Sequence, residues 1–302
     1  LTQTYRSYQV LVINHNSTDE SEKVLRSLQE RFPHLTYYNY NDPQRRVGKK
    51  FALRYGIEKA LHDVLLLTDA DCVPRTDRWL LHMQSLLRGS HTIGLGFGPY
   101  DRQPGFLNAF IRFETFITAV HYFSFALAGI PYMGVGRNLI YRKSAYQQAM
   151  RFHRHDDLAS GDDDLLINEI ANAHNTAFSF DPDTFVYSPP QPIWRDWMRQ
   201  KQRHLSTGTR YSWLHQLLLG SISATHFLHY SCGLLLFLSG YWQLFLIGYL
   251  SRMTLLFSVY AGISEKLDDA ILTKWIPALD VAFCFYYIVF APALFFSQKK
   301  KW

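Results

Sequence analysis

Two aspartates that follow an apolar run have the spacing of a divalent-cation site. Asp69 and Asp71 follow a short run of aliphatic residues that ends at Leu67, with Thr68 between. Carboxylates one residue apart, at the carboxyl edge of a sheet, can share Mg²⁺ or Mn²⁺, whose other positions take diphosphate oxygens. A solvated acidic turn is the alternative for an isolated pair. With the strand before it, the pair predicts a metal and diphosphate site.

Three further carboxylates stand in a row at Asp162, Asp163 and Asp164, ahead of an apolar helical segment. One or two acidic residues at a helix start are explained by the helix dipole. Three are more than a cap requires. Repulsion between neighbouring carboxylates favours protonation of one, which suits a general base for a hydroxyl group.

Four other side chains are candidates for binding a phosphate-bearing ligand. Gln200 and Arg203 lie three residues apart on a predicted helix over 194–204, so they share a face and can clamp a diphosphate or a hydroxyl. Lys49 opens a predicted helix over 49–61, where an amine can meet phosphate. Arg137 follows Gly136 in a glycine-containing segment, which suggests close approach of the backbone to a ligand.

The elements that must position these residues alternate between strands and helices up to about residue 208. Residues 9–14, 35–40, 64–68 and 139–142 read as strands. Ser17 and Glu20 form a capping-box pattern for the helix after the first strand. We therefore expect an α/β domain over 1–210, with a mostly parallel sheet flanked by helices. The aromatic residues over 106–125 are expected in the core or facing a membrane.

Taken in order, these residues resemble the family 2 glycosyltransferases of GT-A fold, over about 1–204 and the membrane helices that follow. The matching motifs are Asn14-His15-Asn16-Ser17-Thr18-Asp19, Gly48-Lys49, Asp69-Ala70-Asp71, Gly161-Asp162 and Gln200-x-x-Arg203-His204.

The resemblance implies a metal-dependent inverting glycosyltransferase of hexosyltransferase type. Asp69 and Asp71 would hold Mg²⁺ or Mn²⁺ with the nucleotide sugar, and Asp162 would deprotonate the acceptor hydroxyl. Gln200 and Arg203 would lie near the diphosphate or the acceptor.

The chain departs from the family pattern at several positions. Asn14 stands where the family commonly has an aspartate that helps seat the nucleotide base. Gly161 replaces a glutamate, which leaves Asp163 as a second candidate base, and His204 replaces a tryptophan. The family's first strand and helix would precede Leu1, so we interpret the catalytic domain as N-terminally truncated.

Residues 211–302 have the composition of a membrane region. No Lys, Arg, Asp or Glu occurs over 211–251, which is enough for one span or a tight hairpin of two. A second candidate covers 281–296, and the mixed-charge segment near 264–275 suits an interfacial helix. If the lysines at 299–301 and the catalytic domain are both cytoplasmic, the number of spans is even. We therefore expect a multi-pass protein with its catalytic domain on the cytoplasmic side.

Composition limits the partners. The formal charge is +6, but the basic residues are scattered, so no nucleic-acid partner is expected. Three cysteines without metal-ligand spacing exclude a disulfide framework and a structural zinc site. The expected partners are a nucleotide-sugar donor, a membrane, and a lipid-linked, glycan or protein acceptor.

Two other classes stay open. A nucleotidyltransferase would use a related sheet and acidic motif but release pyrophosphate. A non-catalytic membrane scaffold would keep the fold and bind the nucleotide sugar without turnover.

Overall fold

The chain forms an α/β unit followed by long apolar helices. The computed structural model describes residues 1–41, 49–151, 161 and 163–295, with the backbone alone at 151, 270–272 and 291–295. The strands are β1 (Val10–His15), β2 (Leu35–Tyr40), β3 (Val64–Leu67), β4 (Val73–Pro74), β5 (Ile93–Leu95), β6 (Leu139–Arg142), β7 (Thr176–Phe178) and β8 (Val186–Tyr187). The helices are α1 (Ser21–Arg31), α2 (Lys49–Lys59), α3 (Trp79–Gln84), α4 (Phe106–Leu127), α5 (Lys143–Arg151), α6 (Asp164–Ile170), α7 (Trp194–Leu205), α8 (Trp213–Leu238), α9 (Trp242–Lys266) and α10 (Ile276–Phe295). Short 3₁₀ helices cover Pro182–Thr184, Gly208–Arg210 and Ala270–Trp275.

The strands form a mixed sheet rather than a mostly parallel one. β1 and β2 pair in parallel, and a four-stranded sheet has the order β3-β6-β5-β7. β6 runs antiparallel to both neighbours, while β5 and β7 are parallel. The long helix α4 lies between β5 and β6 in the chain, and β6 lies between β3 and β5 in the sheet. The α/β class is confirmed, and the strand directions are corrected.

Helix α4 joins the sheet to the apolar helices. Its aromatic side chains are mostly buried, as the sequence predicts: Phe113 packs edge-on against Phe283 of α10 with ring centroids 5.8 Å apart. Phe116 meets Tyr260 of α9 at 5.2 Å. On the sheet side, the Tyr122 hydroxyl donates to the Gly96 carbonyl at 3.0 Å. One helix therefore packs against both parts of the chain.

Two local expectations about helix ends are corrected. α1 begins at Ser21 without a capping box, because the Asp19 carboxylate accepts from the Ser21 amide at 3.0 Å instead. The segment near 264–275 is not one interfacial helix. α9 continues to Lys266, a tight turn follows at Asp268, and a 3₁₀ helix covers Ala270–Trp275.

The charge-free segment forms a helical hairpin. α8 and α9 have 26 and 25 residues and are joined by a turn in which Gly240 has φ +85°. Each is about 37–39 Å long, enough to cross a bilayer. By length and composition, three described helices could span a membrane: Trp213–Leu238, Trp242–Lys266 and Thr273–Phe290.

A polar cluster ties these three helices together. The Arg252 guanidinium of α9 donates to both carboxylate oxygens of Asp280 in α10, at 2.7 and 2.9 Å. The Tyr230 hydroxyl of α8 also donates to Asp280, at 2.5 Å. The Asp280 side chain is only 3% exposed. A buried charge is thus neutralised inside an otherwise apolar bundle.

Candidate active site

The acidic turn lies at the carboxyl end of β3. Asp69 and Asp71 follow this strand, and one ligand atom from each, together with Cys72 Sγ, lie within 4.8 Å of one another. The Lys49 amine at the start of α2 forms an ion pair with Asp69. Three side chains that the sequence singled out are therefore adjacent, and a cation already contacts Asp69.

The chemistry of the turn fits a hard cation bound by oxygen. Cys72 Sγ lies 3.0 Å from the Ser188 hydroxyl. Burial, with the nearby charges of Asp69 and Asp71, raises the pKa of the Cys72 thiol. A protonated thiol is a poor metal ligand, whereas carboxylates suit Mg²⁺ and Mn²⁺. Asp69 and Asp71 are therefore the residues of this turn that could offer oxygen ligands to such a cation.

Replacing Cys72 by serine is accordingly expected to be nearly silent. The serine hydroxyl can keep the contact with Ser188, and no metal ligand is lost. We expect the Mn²⁺ concentration for half-maximal activity to change by less than about twofold. The exposed Cys232→Ser serves as the matched control. A rise of tenfold or more in Cys72→Ser alone would show that the thiolate is a ligand.

Arg137 reaches the same region from the segment before β6. Its Nε donates to the Gly98 carbonyl at 2.9 Å, and its guanidinium lies 4.5 Å from the centroid of the Tyr100 ring. Burial opposes its charge, but Tyr100, Cys72 and Asp69 outweigh burial and raise the pKa of Arg137. Arg137 is thus a fixed positive charge beside the acidic turn.

The described members of the second acidic cluster have structural contacts. One oxygen of Asp163 accepts from the Asp164 amide at 2.9 Å and caps α6, while the other accepts from the Gly136 amide at 2.6 Å. Asp164 is buried and accepts from the hydroxyls of Thr207 and Tyr211, at 2.5 and 2.7 Å. Gly136 therefore approaches Asp163 rather than a ligand. Asp162 lies outside the described residues.

Gly161 has a backbone that explains why it replaces a glutamate. Its φ is +98°, which L side chains rarely adopt. An added Cβ would lie 2.6 Å from Leu165 Cδ1. This backbone excludes a side chain just before Asp162.

Helix α7 brings a basic face to the site. Lys201 is buried in an ion pair with Glu114 of α4, with side-chain exposures of 11% and 5%. Gln200 Oε1 is buried and accepts no hydrogen bond from the residues that the structure describes. The Lys201–Glu114 pair fixes the helix that carries Gln200 and Arg203.

His204 marks the point where the predicted cations converge. Its side chain keeps solvent-exposed surface. Its pKa is nevertheless lowered well below the ordinary value, first by desolvation and then by the charges of Lys201, Arg203, Arg137 and Lys49. Lys49, Arg137 and the end of α7 thus lie close enough to His204 for their positive charges to act on it.

Asn14 lies at the carboxyl end of β1. Its amide donates to Asn39 Oδ1 at 2.8 Å across the parallel pair β1–β2. This edge of the sheet is where open α/β folds bind ligands, and the Asn14 side chain is hydrogen-bonded there to Asn39.

Several site residues were missed from the sequence. Tyr100, Ser188 and Glu114 contact Arg137, Cys72 and Lys201 respectively. One of these contacts is connected with a feature of the sequence, the glycine at position 98. An added Cβ there would lie 2.5 Å from Arg137 Nε, so this glycine permits the close approach of the arginine.

A second cluster of possible metal ligands lies elsewhere, at His82, Asp181 and Asp183. His82 Nδ1 is 2.7 Å from Asp181, and Arg78 is 2.5 Å from Asp183. Arg78 forms an ion pair with Asp183 and His82 contacts Asp181, so this cluster joins α3 and its N-terminal end to the short 3₁₀ helix Pro182–Thr184 and the residue before it.

An acidic turn at the end of a sheet strand, faced by a lysine, an arginine and a basic helix, is the arrangement of α/β domains that bind a phosphate-bearing ligand with a divalent cation. The model of the family "Glycosyl transferase family 2" matches residues 1–150. Over those residues the chain belongs to glycosyl transferase family 2. The comparison with curated proteins found no match.

The fold is that of GT-A glycosyltransferases. The mannosyltransferase PcManGT from Pyrobaculum calidifontis, solved with GDP-Man and Mn²⁺, matches with TM-score 0.59 at 15% identity, covering 98% of this chain and 81% of that one. TarS 1-349 of S. aureus matches with TM-score 0.45 at 13% identity, covering 69% and 56%. The first match extends the shared fold to the apolar helices, and at these identities the likeness concerns the fold alone.

Proposed function

We propose that this protein transfers a sugar from a nucleotide-diphosphate sugar to a hydroxyl acceptor, with inversion, at the cytoplasmic face of a membrane. The observation that carries the proposal is the convergence at the end of β3. Asp69 and Asp71 share this turn, and the Lys49 amine pairs with Asp69. The charges of Lys49, Arg137 and the α7 residues Lys201 and Arg203 all act on His204. That charge distribution suits a diphosphate bound with a cation.

Residues of three segments, the acidic turn, the start of α2 and α7, would bind the donor. Asp69 and Asp71 would hold Mg²⁺ or Mn²⁺, which when bound neutralises negative charge on the diphosphate. Lys49 and Arg203 would contact phosphate oxygens. Gln200, whose buried Oε1 has no partner among the described residues, would accept a hydrogen bond from a substrate hydroxyl.

Asn14 and Arg137 complete the proposed donor site. Asn14, at the edge of β1 and β2, would contact the nucleotide. Arg137 is held by Gly98 and Tyr100, so it would act as a fixed charge near the diphosphate.

Asp162 is the proposed general base. Asp163 and Asp164 both accept several hydrogen bonds from the protein, which hold their carboxylates in place. In the proposed step, Asp162 takes the proton of the acceptor hydroxyl and that oxygen bonds to the anomeric carbon. The bond from this carbon to the diphosphate breaks on the opposite side, which inverts the configuration and releases a nucleoside diphosphate.

Comparison of Asp162→Asn with Asp163→Asn tests this assignment. Loss of a general base lowers rates by about 10²–10⁴-fold, so we expect Asp162→Asn to lose at least a hundredfold in kcat with little change in donor binding. Asp163→Asn removes one acceptor at a helix cap, and we expect mainly a lower unfolding temperature. Activity and thermal unfolding would be measured on both variants. The reverse pattern would make Asp163 the base.

The helical region suits membrane attachment with two crossings. Each candidate span contains an apolar stretch of 18 residues. The share of that stretch buried within the protein is 0% in Trp213–Leu238, 6% in Trp242–Lys266 and 39% in Thr273–Phe290. α10 packs on the catalytic helices: Phe290 and Trp197 have ring centroids 5.6 Å apart. We propose that α8 and α9 cross the bilayer while α10 stays against α4 and α7. The lysines at 299–301, outside the described residues, would then be on the cytoplasmic side.

A lipid-linked acceptor fits this placement better than a free glycan or a protein. The apolar helices would hold the cleft close to the bilayer surface, where a lipid-linked hydroxyl is presented. The donor sugar is left to experiment.

The test uses full-length protein in lipid vesicles with a panel of nucleotide sugars, GDP-mannose included, and Mn²⁺ or Mg²⁺. We expect one donor to give nucleoside diphosphate, with the release abolished by a chelator and restored by added metal. Pyrophosphate release would favour the nucleotidyltransferase alternative. Donor binding without any turnover would favour the scaffold and sink the proposal.

A further inference from the structure

The turn between α9 and the third apolar helix contacts the catalytic domain through two acidic residues. Asp268 accepts from Arg75 Nη1 at 2.5 Å and from the Tyr187 hydroxyl at 2.6 Å. Asp269 accepts from Arg112 Nε at 2.8 Å, and Arg102 Nη2 lies 3.4 Å from it. A membrane-region loop therefore contacts the sheet domain through charged hydrogen bonds, which are stronger than neutral ones.

These contacts lie next to the acidic turn. Tyr187 belongs to β8, where it pairs with Val73 of β4. Arg75 directly follows β4, and its amide donates to the Phe185 carbonyl at 2.9 Å, so one partner of Asp268 lies in this short strand pair and the other is next to it. Cys72, one residue from Asp71, contacts Ser188 at the end of the same pair. The path from Asp268 to the metal-binding turn thus crosses one strand pair.

Asp268 has a left-handed backbone conformation. Its φ is +59°, which is uncommon for a residue other than glycine. A glycine would adopt it without strain. Burial and Asp268 raise the pKa of Tyr187 to about 12, so its hydroxyl stays a donor at neutral pH. The contacts with Arg75 and Tyr187 therefore depend on the Asp268 carboxylate and not only on the shape of the turn.

We propose that Asp268 is a positioning residue for the metal site. Through Tyr187 and Arg75, the loop between the membrane helices holds the β4–β8 pair, and this pair holds the turn that carries Asp69 and Asp71. The affinity of the acidic turn for a cation then depends on the position of the α8–α9 hairpin against the catalytic domain. The inference rests on the proposed binding of a divalent cation at this turn.

The experiment measures Mn²⁺ binding directly, from the electron paramagnetic resonance signal of free Mn²⁺, on full-length protein in lipid vesicles without donor. Asp268→Gly keeps the backbone conformation and removes the carboxylate, and we expect it to raise the Mn²⁺ dissociation constant about fivefold or more. Tyr187→Phe should give a smaller rise. The two changes combined should not add, since both break the same contact.

The matched control is Glu265→Gln, an exposed residue at the end of α9, which should bind Mn²⁺ like the wild type. Asp268→Gly with a lower unfolding temperature but unchanged Mn²⁺ affinity would show a tether without a positioning role and overturn the inference. Asp71→Ala separates the two proposals. If wild type and Asp71→Ala bind Mn²⁺ equally, the proposed metal site itself fails; if only Asp71→Ala binds weakly, the site stands and the positioning role fails.

Discussion

Asp71→Ala should lower the rate of sugar transfer by about a thousandfold or more. The variant removes one of two carboxylates in the proposed metal site, and a bound metal contributes several kcal/mol of charge stabilisation, with each 1.36 kcal/mol worth tenfold in rate. Asp69→Ala should be equally severe, because it also leaves the Lys49 amine without its carboxylate partner. The assay is nucleoside diphosphate release at saturating donor over a range of Mn²⁺ concentrations.

Asp77→Ala is the control for Asp71→Ala. Asp77 is an exposed aspartate of the same stretch of chain, and its side chain is not part of the acidic turn. It should retain wild-type activity. High Mn²⁺ should not rescue Asp71→Ala fully, since the missing ligand also orients the diphosphate. Activity within tenfold of wild type would remove Asp71 from the metal site.

Local patterns predicted the elements that carry the site. β2 and β6 were expected at Leu35–Tyr40 and Leu139–Arg142, where they occur, and α7 differs from its expected range by one residue. Each is set by a run of β-branched, aromatic or amphipathic residues within one segment. The sequence placed Lys49 at the start of a helix, where an amine can meet phosphate, but its ion pair with Asp69 is shown only by the fold.

The contacts that hold the site together were not predictable from local patterns. Arg112 and Asp269 are 157 residues apart in sequence, and Arg252 and Asp280 are 28 apart. In the sequence, each residue of these two pairs by itself indicates only a solvated charge or an interruption in an apolar run. The run of three aspartates was ambiguous for a related reason. Only the fold shows that Asp163 meets Gly136, so that its carboxylate is held by backbone amides.

Arg252 and Asp280 are expected to be far more sensitive singly than together. Arg252→Gln leaves the Asp280 carboxylate buried without its cation, and Asp280→Asn leaves the guanidinium without its anion. Breaking a buried pair costs about 3–5 kcal/mol, so each single variant should unfold at a markedly lower temperature. The double variant removes both charges and keeps an amide that can accept from Tyr230. It should recover most of the lost stability.

The unfolding temperatures of the wild type, the two single variants and the double variant are compared on full-length protein in detergent and in vesicles. Ser251→Ala, at the exposed neighbour of Arg252, is the control and should unfold like the wild type. A double variant as unstable as the sum of the singles would show that shape, rather than charge neutralisation, makes the cluster important. A further outcome is that the double variant also binds Mn²⁺ more tightly than either single variant. That result would couple the position of the helical hairpin to the geometry of the acidic turn through the Asp268–Asp269 loop, because neither Arg252 nor Asp280 contacts the acidic turn.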